Sequence, residues 1–303
     1  MPNLIDNQKP RILRTPFGAP RHRPRHTVSN TAASATVHAE LAGIDLDEWQ
    51  REFLNCTLNV DVDGRYTARE AGLLAPRPAG KTEAILVREI VGLVSLGENI
   101  IHTSSLKNVA VNDMQRLLRH LDSSPALRAM IKRVSRTNGD EYIETTAGTR
   151  IKYVARTPHS GRPLSADLLV VDDATDCSRE FMAAALPMLL SSQNPQILFV
   201  GTAVNKRTHP RGDVFTHLRN RALRADPSIL WQEHSAPDDR DEDGNLLVDV
   251  ADPAVAAAAN PGQRRVQPGV FDQLRRVLQP DVYLAECLGI GDWPDLDEHG
   301  LSK

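Results

Sequence analysis

Cysteine is scarce. Only Cys56, Cys177 and Cys287 occur in 303 residues, too far apart to form a metal-ligand cluster, and their number fits a reducing compartment. No run approaches the roughly 18 consecutive apolar residues of a membrane-spanning helix, and the N-terminus has no apolar signal core, so no membrane insertion or secretion is expected. Positive charge is not in excess either. A net charge of -3 argues against broad adhesion to nucleic acid, so any such contact has to be local or built from several subunits. No internal repeat is visible. With 41% hydrophobic residues the chain can bury one large core and a smaller appendage.

What is present is a phosphate-binding signature. Ala75-Pro76-Arg77-Pro78-Ala79-Gly80-Lys81-Thr82 is one residue away from G-x-x-x-x-G-K-[ST], with Ala75 in place of the first glycine. A triphosphate needs converging backbone N–H donors, a point positive charge and a hydroxyl beside Mg²⁺. Ala79, Gly80, Lys81 and Thr82 supply these. The segment before the loop, 71–75, is short, apolar and strand-like, whereas 82–91 has helical periodicity, which is the strand-to-helix setting this loop requires.

Downstream, Leu168-Leu169-Val170-Val171 ends in Asp172-Asp173, a buried strand that carries acids out at its C-terminal end. There Asp172 can bind Mg²⁺ and Asp173 can orient or deprotonate water; the alternative is a pair of aspartates capping the next helix. Asp173 stands where such sites usually have Glu. Between the two motifs the pattern predicts a strand over 98–103, an amphipathic helix over 106–121, and a two-stranded piece from 142–145 and 150–154. Beyond them it predicts a helix over 179–190 and a strand over 196–200 followed by Gly201-Thr202-Ala203.

This series resembles the ATPase domain of the large terminase subunit of tailed bacteriophages, of the type found in phages of actinobacteria, over residues 40 to 295. Asp47-Glu48-Trp49-Gln50 looks like its adenine-side glutamine motif, Arg77 stands where terminases carry a loop arginine, and Gly201-Thr202-Ala203 resembles its coupling motif. Ala259-Asn260-Pro261, 284–289 and Gly291-Asp292-Trp293-Pro294 resemble segments that follow that domain. The resemblance implies a P-loop NTPase fold, a three-layer α/β sandwich with a mainly parallel sheet, and Mg²⁺-dependent ATP hydrolysis that drives double-stranded DNA into a capsid. Carried over residue by residue, it makes Asp173, Arg77 and Lys81 catalytic. Gln50, Ala79, Gly80, Lys81, Thr82 and Thr202 would contact the nucleotide, and Thr82 and Asp172 the metal. Gln50 could instead be a surface glutamine and Thr202 a plain strand end. Arg156 and Arg162 are candidates to reach a neighbouring subunit's nucleotide, against ordinary exposure. Implied partners are a homo-oligomeric ring of further copies, a portal protein and a small terminase subunit, in the cytoplasm of the bacterial host. Two other classes stay open: a DNA-dependent ATPase of helicase type, and a nucleotide-binding remnant without turnover.

Large terminases continue into a nuclease domain. Here the sequence ends at Lys303, soon after Trp293, so the expectation is a motor portion without nuclease activity, served by a separate nuclease. The acidic stretch 238–244 fails the calcium-loop pattern because its twelfth position, counted from Asp239, is Val250; a solvated turn is expected. Three regions follow. Residues 1–40 read as a basic, proline-rich, disordered arm, with His22 and His26 too weak a pair for a metal site; 41–236 is the motor domain; 237–303 is a helical lid or linker subdomain with an alanine-rich helix near 253–260.

Overall fold

The structure, a computed structural model, describes residues 7–16, 31–156 and 165–301. Nine strands among them form one sheet: β1 Ile12–Arg14, β2 Glu70–Leu74, β3 Ile100–Ser104, β4 Ile131–Thr137, β5 Asp140–Thr145, β6 Arg150–Ala155, β7 Leu168–Asp172, β8 Gln196–Gly201 and β9 Ile229–Glu233. Their order is β1-β9-β2-β8-β7-β3-β6-β5-β4. The six strands from β9 to β6 run parallel, whereas β1, β5 and β4 pair antiparallel at the two flanks. The apolar continuity of β2, β7 and β8 has a direct cause: strands covered on both faces have no polar side, so alternation disappears.

Helices cover both faces. One layer holds α1 Thr31–Leu41, α2 Glu48–Thr57, α3 Lys81–Val91, α4 Lys107–Ser123 and α5 Pro125–Ala129, whose Phe53, Ile85 and Leu117 meet Leu168 and Val170 of β7. The opposite layer holds α6 Arg179–Ala185 and α7 Asp213–Leu223, whose Phe181 and Phe215 meet Leu169 and Val171. Alternate residues of one strand therefore feed two cores, which makes the expected three-layer α/β sandwich. Close packing fixes Gly72 of β2, where a Cβ would lie 2.2 Å from the Trp231 ring. The sequence pattern gives no sign of the strands β4 and β9 or of the helix α7.

Residues beyond β9 carry α8 Pro253–Ala259, α9 Val270–Val277 and α10 Pro280–Leu288, which gather Ala256, Phe271, Tyr283 and Leu288 into a small third core. The acidic stretch within 238–244 is an exposed turn in which Asp241 accepts from the backbone of Asp243 and Asn245.

The expectation of a disordered N-terminal arm needs correction at residues 7–16 and 31–40. Ile12 and Leu13 pair with Gln232 and Glu233 of β9, Asn7 and Gln8 donate to backbone carbonyls of 257–261, and α1 begins at Thr31. The reason is local: proline is missing between Arg11 and Thr15, so an edge N–H ladder is possible, and Arg11 finds a buried carboxylate. Arg21, His22, Arg23, Arg25 and His26 lie outside the described residues.

That carboxylate is Glu233, fully buried. It accepts from Arg219 Nε at 2.7 Å, Trp231 Nε1 at 3.0 Å and Arg11 Nη2 at 3.0 Å. Burial alone would push its pKa up, but the donations from Arg219, Trp231 and Arg11 outweigh this and hold it below the ordinary glutamate value. A folded-state pKa below the unfolded one contributes stability above the ordinary Glu range, and that contribution is lost as pH falls through the folded value. Glu233→Gln should therefore lower stability by about 3 kcal/mol at pH 7, since it strands two guanidinium groups. In urea titrations the gap from the unsubstituted protein should close as pH drops below about 4.

Candidate nucleotide site

The loop 75–80 joins β2 to α3 at the C-terminal edge of the parallel strands, where α3 points its free N–H groups. Gly80 takes φ 99°, which favours glycine, and a Cβ there would lie 3.0 Å from Arg265 Nη2 and 3.1 Å from Gln50 Nε2, close enough to push on both. Ala75 is a different matter. Among the described non-glycine residues only Asp173 and Ala225 have positive φ, so the first loop position makes no demand for glycine, and a buried alanine fits it.

Lys81 folds its ammonium back on the loop, with Nζ donating to Ala75 O at 2.5 Å and Pro76 O at 3.3 Å. Burial and the like charge of Arg77 lower its pKa to about 8, against the pull of Glu286, Asp172 and Asp173. Its positive charge thus sits in a pocket that favours an incoming polyanion.

Asp172 ends β7, and its Oδ1 accepts from Asp173 N at 3.0 Å. Its pKa is pushed up to about 6, by burial first and by Asp173 and Asp113, while His102 opposes. Asp173 follows in the left-handed region, φ 51° and ψ 50°. Aspartate tolerates that region better than most side chains, which accounts for the shorter acid at this turn. Asp173 makes no helix-capping bond. Instead its Oδ1 accepts from Arg77 Nη2 at 2.7 Å, so the loop arginine and the strand-end acid meet directly.

Thr82 is the second residue of α3, next to Lys81. A threonine hydroxyl and a carboxylate are hard oxygen donors of the kind Mg²⁺ prefers. Burial is the first cause of the raised pKa of Asp172, and a buried carboxylate beside a helix-start hydroxyl is a donor set that fits a divalent cation.

Three expected residues occupy positions the sequence did not show. Gln50 is fully buried, and its Oε1 accepts from Asp47 N at 2.6 Å while its Nε2 donates to Gly80 O at 2.6 Å. Its amide closes α2 and grips the loop, an occupation that differs from a free hand for adenine. Thr202, buried just past β8, donates from Oγ1 to Glu286 Oε1 at 3.2 Å. Ala79 is buried under Gly262, where a Cβ would come within 2.4 Å of the Ala79 carbonyl oxygen.

Arg156 faces inward rather than outward to a neighbour. Its Nη1 donates to Asp172 O at 2.5 Å and Thr103 O at 3.1 Å, and its Nη2 to Asp173 O at 2.9 Å. One guanidinium thereby holds both backbone carbonyls of the turn that aims Asp173. Arg156→Met should lower any turnover at this site about 100-fold, since a shift near 1 Å costs that much. Arg156→Lys should recover only part of it, because one ammonium cannot span the carbonyls; steady-state phosphate release checks both. Arg162 and its loop, 157–164, lie outside the described residues.

Sequence reasoning missed a buried polar cluster behind Asp172. His102 on β3 places Nδ1 2.5 Å from Glu89 Oε1 of α3 and Nε2 3.4 Å from Asp113 Oδ2 of α4, and Tyr153 on β6 donates to Glu89 at 3.2 Å. Burial works against the imidazolium, but Glu89 and Asp113 outweigh it and raise the pKa to about 10. Polar residues at core positions of a strand and a helix were the available signal. Also missed were Glu286 of α10, which binds Arg77, and Arg264 and Arg265, both paired with Asp47.

The HK97 bacteriophage large terminase superposes with a TM-score of 0.67 at 17% identity, over 81% of this chain and 50% of that one. The large terminase ATPase domain of Thermus phage P74-26 superposes with a TM-score of 0.56 at 14% identity, over 83% of this chain and 95% of that one. The chain has the fold of a phage large-terminase ATPase domain. The ADP complex of the large terminase from the thermophilic bacteriophage D6E matches at a TM-score of 0.50 and 11% identity, over 74% of this chain and 48% of that one. The chain thus spans about half the length of the HK97 and D6E large terminases it matches. No protein-family model matches the sequence, and no curated protein does. At these identities the terminase-type fold is shared while most side chains differ, so the site must be read from its own residues. No described helix is long and apolar enough to cross a membrane.

Proposed function

We propose that the chain is the ATP-hydrolysing motor domain of a phage terminase large subunit and drives double-stranded DNA into a capsid. The observation that carries this reading is the meeting of Arg77 and Asp173 beside Lys81 and Asp172, at the C-terminal edge of the parallel strands. In open α/β sheets that edge is where ligands bind.

Each side chain has a role that follows from its place. The N–H groups at the start of α3 and the Lys81 ammonium hold the β and γ phosphates, and Arg77 meets the charge that spreads over the γ-phosphoryl oxygens. Asp173, fixed by the Arg156-held turn, orients the attacking water and takes its proton. Thr82 and Asp172 would hold Mg²⁺, which supplies charge neutralisation of the phosphates when bound. Gln50 keeps the loop against α2.

The larger setting extends the same reading. Copies of the chain form a ring on a portal protein and a small terminase subunit presents the DNA, all in the cytoplasm of the bacterial host. A net charge of -3 favours a ring that shares its DNA contacts over a single adhesive subunit. Phosphate release from ATP by the purified chain, with and without Mg²⁺ and double-stranded DNA, tests the proposal. Turnover that needs Mg²⁺ and rises with DNA is expected; no ATP binding under any of these conditions would overturn it.

A further inference from the structure

The C-terminal helices touch the nucleotide site at a point that no role above explains. Glu286 on α10 is partly exposed and sends its two carboxylate oxygens to different elements: Oε2 lies 3.1 Å from Arg77 Nε in the phosphate loop, and Oε1 accepts from Thr202 Oγ1 at the end of β8 at 3.2 Å. Its backbone carbonyl also accepts from Arg77 N at 2.7 Å. Arg77 in turn reaches Asp173. Four residues from four elements thus form one chain: Thr202, Glu286, Arg77, Asp173.

We propose that Glu286 is a positioning residue of the nucleotide site, which holds Arg77 against Asp173 and, through Thr202, ties the state of the site to helix α10. The inference rests on the reading of this site as an ATPase centre.

Anions compete for Arg77. A guanidinium with one edge on Asp173 and another on Glu286 is balanced between two carboxylates, and a γ-phosphate beside the loop adds a third anion with more charge than either. The Nη2 edge of Arg77 then exchanges Asp173 for the phosphate, Asp173 is released to water, and Glu286 keeps its hold on Nε so that the guanidinium stays aimed at the loop. Because Tyr283, Cys287 and Leu288 of the same helix are packed in the third core, a shift at Glu286 is passed to α8 and α9 as a rigid unit. Glu286 itself is not a core residue, so its substitution leaves that packing intact.

The test uses Glu286→Gln, Thr202→Val and the pair in the full chain. Glu286→Gln should lower kcat about tenfold with KM for ATP changed less than twofold, Glu286→Asp should recover part of the loss, and the paired variant should be no slower than the slower single one. Hydrogen exchange in 280–288 should change when a non-hydrolysable ATP analogue and Mg²⁺ are added to the unsubstituted protein, and not in Glu286→Gln. Unchanged kcat in Glu286→Gln, or kcat losses that multiply in the pair, would overturn the positioning role. The melting temperatures without nucleotide judge the contact independently of catalysis. A pair that melts no lower than the less stable single variant supports the tie to Thr202, and additive losses refute it. A chain that turns over no ATP would remove the ATPase reading, while the melting arm would still decide whether Glu286 and Thr202 act as one.

Discussion

Lys81→Ala should abolish measurable ATP turnover, with phosphate release reduced by a factor of about 100 to 1000 or more and a matching loss of triphosphate affinity. Removing one preorganised charge aimed at a developing anion costs about that much. The fold should survive, because the ammonium is held only by Ala75 and Pro76 carbonyls and its burial already depresses its pKa to about 8. A folded state that disfavours the charged form gains nothing from keeping it, so the melting temperature should stay near that of the unsubstituted protein. A variant that melts normally and still hydrolyses ATP would place the phosphates elsewhere.

Asp173→Asn is the sharper probe, because it keeps the shape of the side chain and the left-handed turn. Asparagine accepts that backbone region as readily as aspartate. What it removes is the basic oxygen and the ion pair with Arg77, whose guanidinium is 56% exposed and whose partner is 29% exposed, so little stability is at stake. Turnover should slow by a factor of about 100 or more while ATP affinity is retained or raised, since Arg77 then loses one of the carboxylates that compete with the phosphate. Single-turnover kinetics and nucleotide titration together check it. The two substitutions separate the roles: Lys81→Ala should fail at binding and chemistry, Asp173→Asn at chemistry only.

The parts of this site that were legible in the sequence are those governed by backbone demands. A strand buried on both faces must be apolar throughout, so β2, β7 and β8 announce themselves, and Gly80 at φ 99° would strain any residue with a side chain. The two departures from the usual pattern also have backbone reasons, visible only in three dimensions: Ala75 needs no positive φ, and Asp173 occupies a turn where a short acid is at ease. What stayed illegible depends on partners distant in sequence. β9 ends in Gln232 and Glu233, polar residues that look exposed until Trp49, Arg219 and Arg11 are seen to bind them. Glu286 lies 209 positions from Arg77 by their numbering, 286 less 77, and no spacing rule links a helix near one end to a loop near the other. Arg156 reads as an exposed finger in sequence because its acceptors are backbone oxygens, which carry no residue identity.

The borders of the sheet have a consequence for assembly. On one side β1 is a three-residue strip, and on the other β4 presents Lys132, Arg133 and Arg136 to solvent. A short outermost strand and a cationic one both discourage a second molecule from docking its own strand there. Copies of this chain are therefore steered away from fibre-like growth, which leaves helix faces and loops as the surfaces through which they could meet, contacts that can open and close without unzipping the sheet.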